Sequence, residues 1–210
     1  ACIKDMLAVE TDPDLRDSLC EMLAVNEKVL TQPPQTLHEV CQWVVYFNIA
    51  SRIYTRDGAG FQLDTLLRPY YEADIAAGRL DDEKAVFLLA DLLLNDPQYY
   101  QLSGVDAEGN DLTCHLSYLV LEAADALNIA ANLTVRVHEN CDPAFLQKAV
   151  WYLFKNKNGW PRFCGDKALT EGYERNGYSH ADANARIAVG CNWMCVPGKE
   201  FPMNDVVKIN

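Results

Sequence analysis

Apolar residues recur at helical spacing along most of the first 130 residues. In the segment 14–30, Leu15, Leu19 and Met22 fall on one side of a helix, and Asp12-Pro13 supplies its start signal. The same spacing predicts one helix from residue 36 and others over 66–77, 81–94 and 112–127. The first part of the chain is therefore predicted to be mainly helical.

From residue 131 onward, short β-rich runs alternate with helical patterns. Strands are predicted over 132–138, 160–163 and 187–189, with helices over 144–155, 169–176 and 181–186. This alternation favours parallel strands joined by crossover helices. The predicted fold class is α/β: residues 1–130 are mainly helical, residues 131–210 alternate, and the whole chain forms a single segment.

Parallel sheets carry their chemistry at the carboxyl ends of the strands. Three such ends are predicted here, at Arg136-Val137-His138, Phe163-Cys164-Gly165 and Gly190-Cys191. Arg136 and His138 are either a solvated or salt-bridged pair or substrate-binding residues, in which case Arg136 holds a substrate carboxylate.

The charge of the chain limits the partners that it can have. A net charge of −12 argues against a nucleic-acid surface, because phosphate binding needs clustered Lys and Arg. No apolar run approaches the roughly 20 residues that span a bilayer, so neither a membrane nor a nucleic acid is expected as a partner. The chain begins with Ala and shows no signal-peptide pattern, which favours a cytoplasmic protein and a segment of a longer chain.

The eight cysteines lack the spacing of a metal site, so no bound metal is expected. Seven of them are predicted to be buried, reduced thiols. The exception is Cys191, which follows an apolar run and Gly190 and precedes the turn Pro197-Gly198. This pattern is typical of a cysteine at the tip of a short hairpin loop inside a protein.

A series of further motifs accompanies Cys191 in a fixed order. It comprises 34–43, Asp64, Arg68-Pro69-Tyr70-Tyr71, Asp74, Gly78, Gly104, Gly109, Asp111-Leu112-Thr113, 119–123, 132–136, Gly159-Trp160-Pro161, Asp166, Asp182-Ala183 and Gly198-Lys199. Together with Gly190-Cys191, the series resembles the glycyl radical enzymes, the superfamily of pyruvate formate-lyase. The resemblance covers most of the chain.

The resemblance implies a ten-stranded α/β barrel, of which this chain is a part, with the cysteine loop at its centre. It implies that Cys191 becomes a thiyl radical and takes a hydrogen atom from a small organic substrate. It also implies a glycyl radical on a second loop, in an Arg-Val-x-Gly-aromatic motif that this chain lacks. A missing C-terminal segment or a complementing chain is then expected to carry that radical, and this chain alone is expected to be inactive. A homodimer and a radical S-adenosylmethionine activating enzyme are further implied partners.

The residues after Cys191 bear on the reaction. Dehydratases of the family carry a glutamate two residues after the cysteine, where this chain has Trp193, which cannot move a proton at neutral pH. Pyruvate formate-lyase carries adjacent cysteines, whereas Gly190 stands here. Fumarate addition of the benzylsuccinate-synthase kind is therefore the favoured reaction, with Trp193 as an apolar wall and Asn192 as a further substrate-binding residue. Ordinary loop packing is the other interpretation of Trp193.

Two alternatives remain open. One is an atypical lyase, decarboxylase or dehydratase of the same family, in which proton transfer uses a different group. The other is a catalytically silent or split-chain fragment that keeps the fold without the radical loop.

Overall fold

The computed structural model describes residues 2–55, 61–189 and 193–200. Its helices are α1 Cys2–Val9, α2 Pro13–Val29, α3 Leu37–Thr55, α4 Leu63–Ala76, α5 Asp82–Asn95, α6 His115–Leu127, α7 Pro143–Asn156, α8 Asp166–Arg175 and α9 His180–Ala185. Its strands are β1 Phe61–Gln62, β2 Tyr100–Ser103, β3 Leu133–Val137, β4 Arg162–Gly165, β5 Ile187–Val189 and β6 Trp193–Cys195. The helical first part and the later alternation follow the predicted order.

Aspartate side chains start three of the helices. Asp12 accepts the backbone N–H groups of residues 14 and 15 at the start of α2, and Asp81 accepts that of residue 84 at the start of α5. Asp142 accepts the N–H of residue 144 and precedes a proline in the first turn of α7. Such caps satisfy N–H groups that the helix itself leaves without a partner. The predicted start signal at Asp12-Pro13 is confirmed.

Four strands form one parallel sheet in the order β1-β2-β3-β4. The parallel pairing of β3 with β4 confirms the prediction for the alternating part of the chain. The prediction is wrong for β5, which pairs antiparallel with β6 in a separate two-stranded sheet. The described strands comprise these two sheets, and the ten-stranded barrel stays a prediction.

The parallel sheet has one apolar and one polar face. Leu102, Leu133 and Val135 join the helices in the main hydrophobic core. Because side chains alternate across a strand, the opposite face carries Gln101 and Thr134. We call this second side of the sheet the polar face. Strand β5 lies on this side, because the backbone N–H of Ala188 donates to Gln101.

Buried Asp64 fixes the sheet to the helices that flank it. Its Oδ2 accepts the backbone N–H of Ser103 at 2.8 Å and the hydroxyl of Ser117 at 2.6 Å. Its Oδ1 accepts hydrogen bonds from Gln62 and Thr65. Burial nevertheless raises the pKa of the Asp64 carboxyl. One side chain thereby joins α4, β2 and α6.

Among the helices of the described part of the chain, none has the length and hydrophobicity needed to cross a membrane.

Candidate active site

Strands β5 and β6 are the two arms of a hairpin on either side of residues 190–192. Ile187 pairs with Cys195 and Ala188 with Met194. We call the segment 187–195 the cysteine hairpin. The candidates Cys191 and Asn192 lie outside the described residues, as does the side chain of Trp193, so their roles stay predictions. The strand predicted over 187–189 is confirmed.

Gln101 joins the hairpin to the polar face. The backbone N–H of Ala188 donates to Gln101 Oε1 at 2.8 Å, and Gln101 is fully buried. The amide nitrogen of Gln101 donates in turn to Gln62 Oε1. Gln62 donates to the backbone oxygen of Ser103 at 2.7 Å. This chain of amides holds the middle of β5 against the middle of β2.

Arg136 lies at the base of the hairpin, and only 2% of its surface is exposed. Its Nε and Nη2 contact the two carboxylate oxygens of Asp166 at 2.8 and 2.6 Å. Its Nη1 donates to the backbone oxygens of Asn184 at 2.9 Å and of Arg186 at 3.1 Å. The carboxylate that Arg136 holds in this structure is thus that of Asp166. A contact with a substrate carboxylate stays a prediction.

Arg186 shares Asp166 with Arg136. Its Nη2 lies 3.0 Å from Asp166 Oδ1, and its Nη1 donates to Thr170 Oγ1 at 2.9 Å and to the backbone oxygen of Ala183. Burial, followed by repulsion from Arg136, lowers the pKa of the Arg186 guanidinium. Two buried cations therefore depend on one carboxylate. We call Arg136, Asp166 and Arg186 the hairpin clamp.

Gly104 leaves room for the Arg136 side chain. Its φ is +103°, in the region that favours glycine. A Cβ at this position would lie 2.9 Å from Arg136 Cδ and 3.0 Å from its Nε. The glycine in the Ser103-Gly104 turn is therefore required by a close approach of side chain to backbone.

His138 contacts a carboxylate on a different part of the sheet edge. Its Nε2 lies 3.0 Å from Asp111 Oδ1, and its side chain is 6% exposed. Asp111 also accepts the hydroxyl of Thr113 at 2.7 Å and the backbone N–H of Asp142 at 3.1 Å. Arg136 and His138 are thus each paired with a separate carboxylate. A role for His138 in substrate binding stays a prediction.

A cleft of about 840 Å³ opens at the carboxyl ends of β3 and β4. Its lining includes His138, Gly165, Lys167, Thr170 and Asn184. The expectation that β5 ends at this same edge is wrong, because β5 does not belong to the parallel sheet. Arg186 contacts Asp166 just after β4, whereas Ala188 already meets Gln101 within β2. Strand β5 therefore runs from the carboxyl edge onto the polar face.

The seven described cysteines are free thiols, but not all of them are buried. Cys2 and Cys20 are exposed, which corrects the prediction for these two positions, and Cys114 is half-buried. Burial raises the pKa of the Cys195 thiol, on β6, to about 11 and that of Cys41, in the helical core, to about 12. In the described part of the chain, no group of three or more His, Cys, Asp or Glu side chains could hold a metal ion.

Sequence reasoning missed Gln101 and Arg186 as residues of the site and gave Asp166 only as a member of the motif series. The signal for Asp166 was its place directly after β4, at a carboxyl strand end. For Gln101, a polar residue inside a buried strand was the available clue, but that strand itself was not predicted.

Comparison with known proteins identifies the family. The family model described as pyruvate formate lyase-like matches residues 2–210. The chain belongs to this family, and hence to the glycyl radical enzyme superfamily that the motif series indicated.

Two curated relatives show what the chain is similar to. It is 25% identical over 221 residues to an isethionate sulfite-lyase of Nitratidesulfovibrio vulgaris, covering 93% of this chain and 27% of that protein. It is 26% identical over 229 residues to a (2S)-3-sulfopropanediol dehydratase of Klebsiella oxytoca, covering 96% of this chain and 27% of that protein. The chain thus spans about a quarter of the length of these relatives.

Solved structures share the fold. A glycyl radical enzyme from Archaeoglobus fulgidus superposes with a TM-score of 0.83 at 23% identity, covering 94% of this chain and 28% of that one. A structure described for 1,2-propanediol dehydration in Roseburia inulinivorans gives a TM-score of 0.86, also at 23% identity and with the same coverage. These likenesses establish the fold of the part that they cover.

Proposed function

We propose that this chain is the cysteine-bearing part of a glycyl radical enzyme and that Cys191 is its hydrogen-atom carrier. The observation that carries the proposal is the hairpin itself. Its two arms flank residues 190–192, and its first arm lies on the polar face of the sheet, bound through Ala188 and Gln101. Membership of the family supports assigning the thiol of Cys191 to this chemistry.

The chemistry of Cys191 is a balanced exchange of hydrogen atoms. The hydrogen atom of the Cys191 S–H bond would pass to the glycyl radical on a segment outside this chain, which leaves the unpaired electron on the sulfur and a closed-shell glycine. With its S–H bond broken, the Cys191 sulfur takes a hydrogen atom from a substrate C–H bond, which restores the thiol and leaves a carbon radical. After the substrate has rearranged, the thiol returns a hydrogen atom to the product radical. The sulfur neither gains nor loses an atom over the cycle.

For the reaction class, we propose cleavage of a bond between carbon and a heteroatom in a small hydroxylated substrate. The relatives described above are a sulfite-lyase and a dehydratase, which favours cleavage over the fumarate addition expected from the sequence. Trp193 adds a further restriction. Because an indole supplies no acid or base, expulsion of hydroxide would lack a proton donor at this position.

A leaving group that departs as a stabilised anion does not need that proton. We therefore favour a lyase that expels such an anion, for example sulfite, over one that expels water. A catalytically silent chain is the alternative if no substrate is turned over. A homodimer and activation by a radical S-adenosylmethionine enzyme are further parts of the proposal.

A substrate panel tests this reaction class. The complete, activated enzyme is given a hydroxyalkyl sulfonate, a vicinal diol, and toluene with fumarate, and the products are analysed by mass spectrometry. Release of sulfite with an aldehyde product, without water loss from the diol, is expected. Rapid dehydration of the diol or formation of an arylsuccinate would contradict the proposed leaving group.

A further inference from the structure

Among the described residues, the buried apolar side chains of the cysteine hairpin lie outside the main hydrophobic cluster. The main hydrophobic cluster is formed by the helices and the parallel sheet. The buried apolar residues Ile187 and Cys195 of the hairpin form a separate cluster of their own. Two sets of polar contacts reach β5 and the residue that precedes it.

We propose that Asp166 and Gln101 are positioning residues that hold β5, and with it the cysteine hairpin, against the polar face of the sheet. The clamp fixes the base of the hairpin, and Gln101 fixes the strand two residues further along. The catalytic consequence of this arrangement rests on the proposed function of Cys191. The attachment of β5 through Asp166 and Gln101 does not depend on the function of Cys191.

At the base, the clamp joins three parts of the chain. Asp166 is the first residue of α8, Arg136 belongs to β3, and Arg186 directly precedes β5. Arg136 also holds the backbone oxygens of Asn184 and Arg186, so the segment that enters the hairpin is bound through its main chain. The start of β5 is thereby held in a fixed position relative to β3.

The charges make Asp166 the critical member. Arg136 is 2% exposed and Arg186 is fully buried, so both guanidinium groups are removed from water. Buried charges are tolerated only when they are paired and hydrogen-bonded. Removing the carboxylate would leave two buried cations facing each other, whereas removing either arginine would leave one ion pair.

In the middle of β5, Gln101 makes an independent contact. It is bound on both sides, since its oxygen accepts from Ala188 and its nitrogen donates to Gln62. If the side-chain amide of Gln101 is removed, the backbone N–H of Ala188 and Oε1 of Gln62 each lose a buried hydrogen-bond partner, which costs free energy. Gln101 therefore fixes the height of β5 over the sheet without sharing any atom with the clamp.

The thiol of Cys195 reports on the position of the hairpin, because its alkylation can be measured without catalytic activity. Cys195 on β6 is 4% exposed and pairs with Ile187, while Cys41 is 5% exposed in the helical core. Detachment of β5 would expose Cys195, and unfolding of the whole chain would expose both. The ratio of their alkylation rates therefore separates release of the hairpin from general loss of stability.

The first experiment measures this ratio in the complete protein before activation, by a short iodoacetamide pulse and mass spectrometry. Asp166→Asn is compared with Arg175→Gln, which removes an exposed charge from the same helix. Asp166→Asn should raise the Cys195-to-Cys41 labelling ratio at least about tenfold. A tenfold shift toward the detached hairpin needs less free energy than removal of one partner from a buried ion pair costs. Arg175→Gln should leave it unchanged. An unchanged ratio in Asp166→Asn would overturn the proposal.

A second variant keeps the test decisive if Asp166→Asn does not fold. Gln101→Met removes the Ala188 contact and leaves the clamp intact, and it should raise the same labelling ratio. A Gln101→Met protein in which Cys195 stays as protected as in the unchanged protein would refute the role of Gln101.

Activity gives the remaining readout in the activated enzyme. A displaced hairpin should lower kcat at nearly constant KM, while the glycyl radical signal in electron paramagnetic resonance persists. A rise in KM at unchanged kcat in Asp166→Asn would place this residue in substrate binding and contradict the positioning role. If Cys191→Ala were fully active, the proposed function would fail, but the labelling result would still decide the attachment of the hairpin.

Discussion

Arg136 and Asp166 form a two-point ion pair, with Nε 2.8 Å from Oδ1 and Nη2 2.6 Å from Oδ2. The pair connects the third strand of the parallel sheet to the helix that follows the fourth. Since Arg136 also holds backbone oxygens of the segment before β5, the pair sets where the cysteine hairpin leaves the sheet edge. A two-point contact of this kind fixes orientation as well as distance.

The unequal charges of the clamp predict unequal costs of mutation. Asp166→Asn should lower the free energy of unfolding by about 3–5 kcal/mol, because it strands buried cations. Arg186→Met should cost less, since Arg136 and Asp166 then form a balanced pair. The substitution also removes the buried charge and its repulsion from Arg136, which together lower the pKa of Arg186. Denaturant unfolding of both variants measures the difference. Equal costs would show that the carboxylate is not shared as described.

Gly104 and Gly109 form a matched pair for testing the close approach to Arg136. Both have positive φ, but a Cβ at Gly109 would meet no atom within 4 Å, whereas one at Gly104 would meet Arg136. Gly109→Ala should therefore cost about 1–2 kcal/mol for backbone strain alone. Gly104→Ala should cost clearly more, as judged by thermal unfolding of the two variants. A smaller loss for Gly104→Ala would mean that Arg136 moves aside without penalty.

The thiols should react in an order set by exposure and by pKa. Exposed Cys2 and Cys20 should be alkylated first at pH 8, while Cys195, with its pKa raised to about 11, and Cys41, with its pKa raised to about 12, stay protected. Because the thiolate is the nucleophile, raising the pH by one unit should speed alkylation of Cys195 about tenfold while the pH stays below its pKa. Peptide mapping after timed labelling gives each rate. Fast labelling of Cys195 at pH 8 in the unchanged protein would disagree with its burial.

The sequence predicted the parts of the fold that depend on local physics. The start signal Asp12-Pro13 marks the beginning of α2, and the β-rich run predicted over 132–138 is distinct from the helices around it. The strands β1 and β2 were missed. Strand β1 has two residues, and β2 alternates apolar and polar positions over only four residues, which is the short limit of a recognisable strand pattern.

The contacts of the site could not be predicted in the same way. Arg136 contacts Asp166, which lies 30 residues later in the sequence, and the backbone of Arg186, which lies 50 residues later. Both contacts depend on how the strands pair. Local pattern gives no information on such pairings, so the sequence leaves Arg136 open between an ion pair and a substrate carboxylate and does not point to Asp166. Cys191 stands out by the apolar run and Gly190 before it, whereas its chemical role comes from the order of the accompanying motifs, which is a resemblance and not a consequence of packing.

In the proposed function, Cys191 carries the hydrogen atom. The most direct measurement compares turnover and glycyl radical yield in the complete, activated enzyme with Cys191→Ser and with Cys20→Ser, which changes an exposed thiol. We expect Cys191→Ser to keep the radical signal in electron paramagnetic resonance and to lose all detectable turnover, while Cys20→Ser keeps both. Substantial turnover by Cys191→Ser would contradict the account.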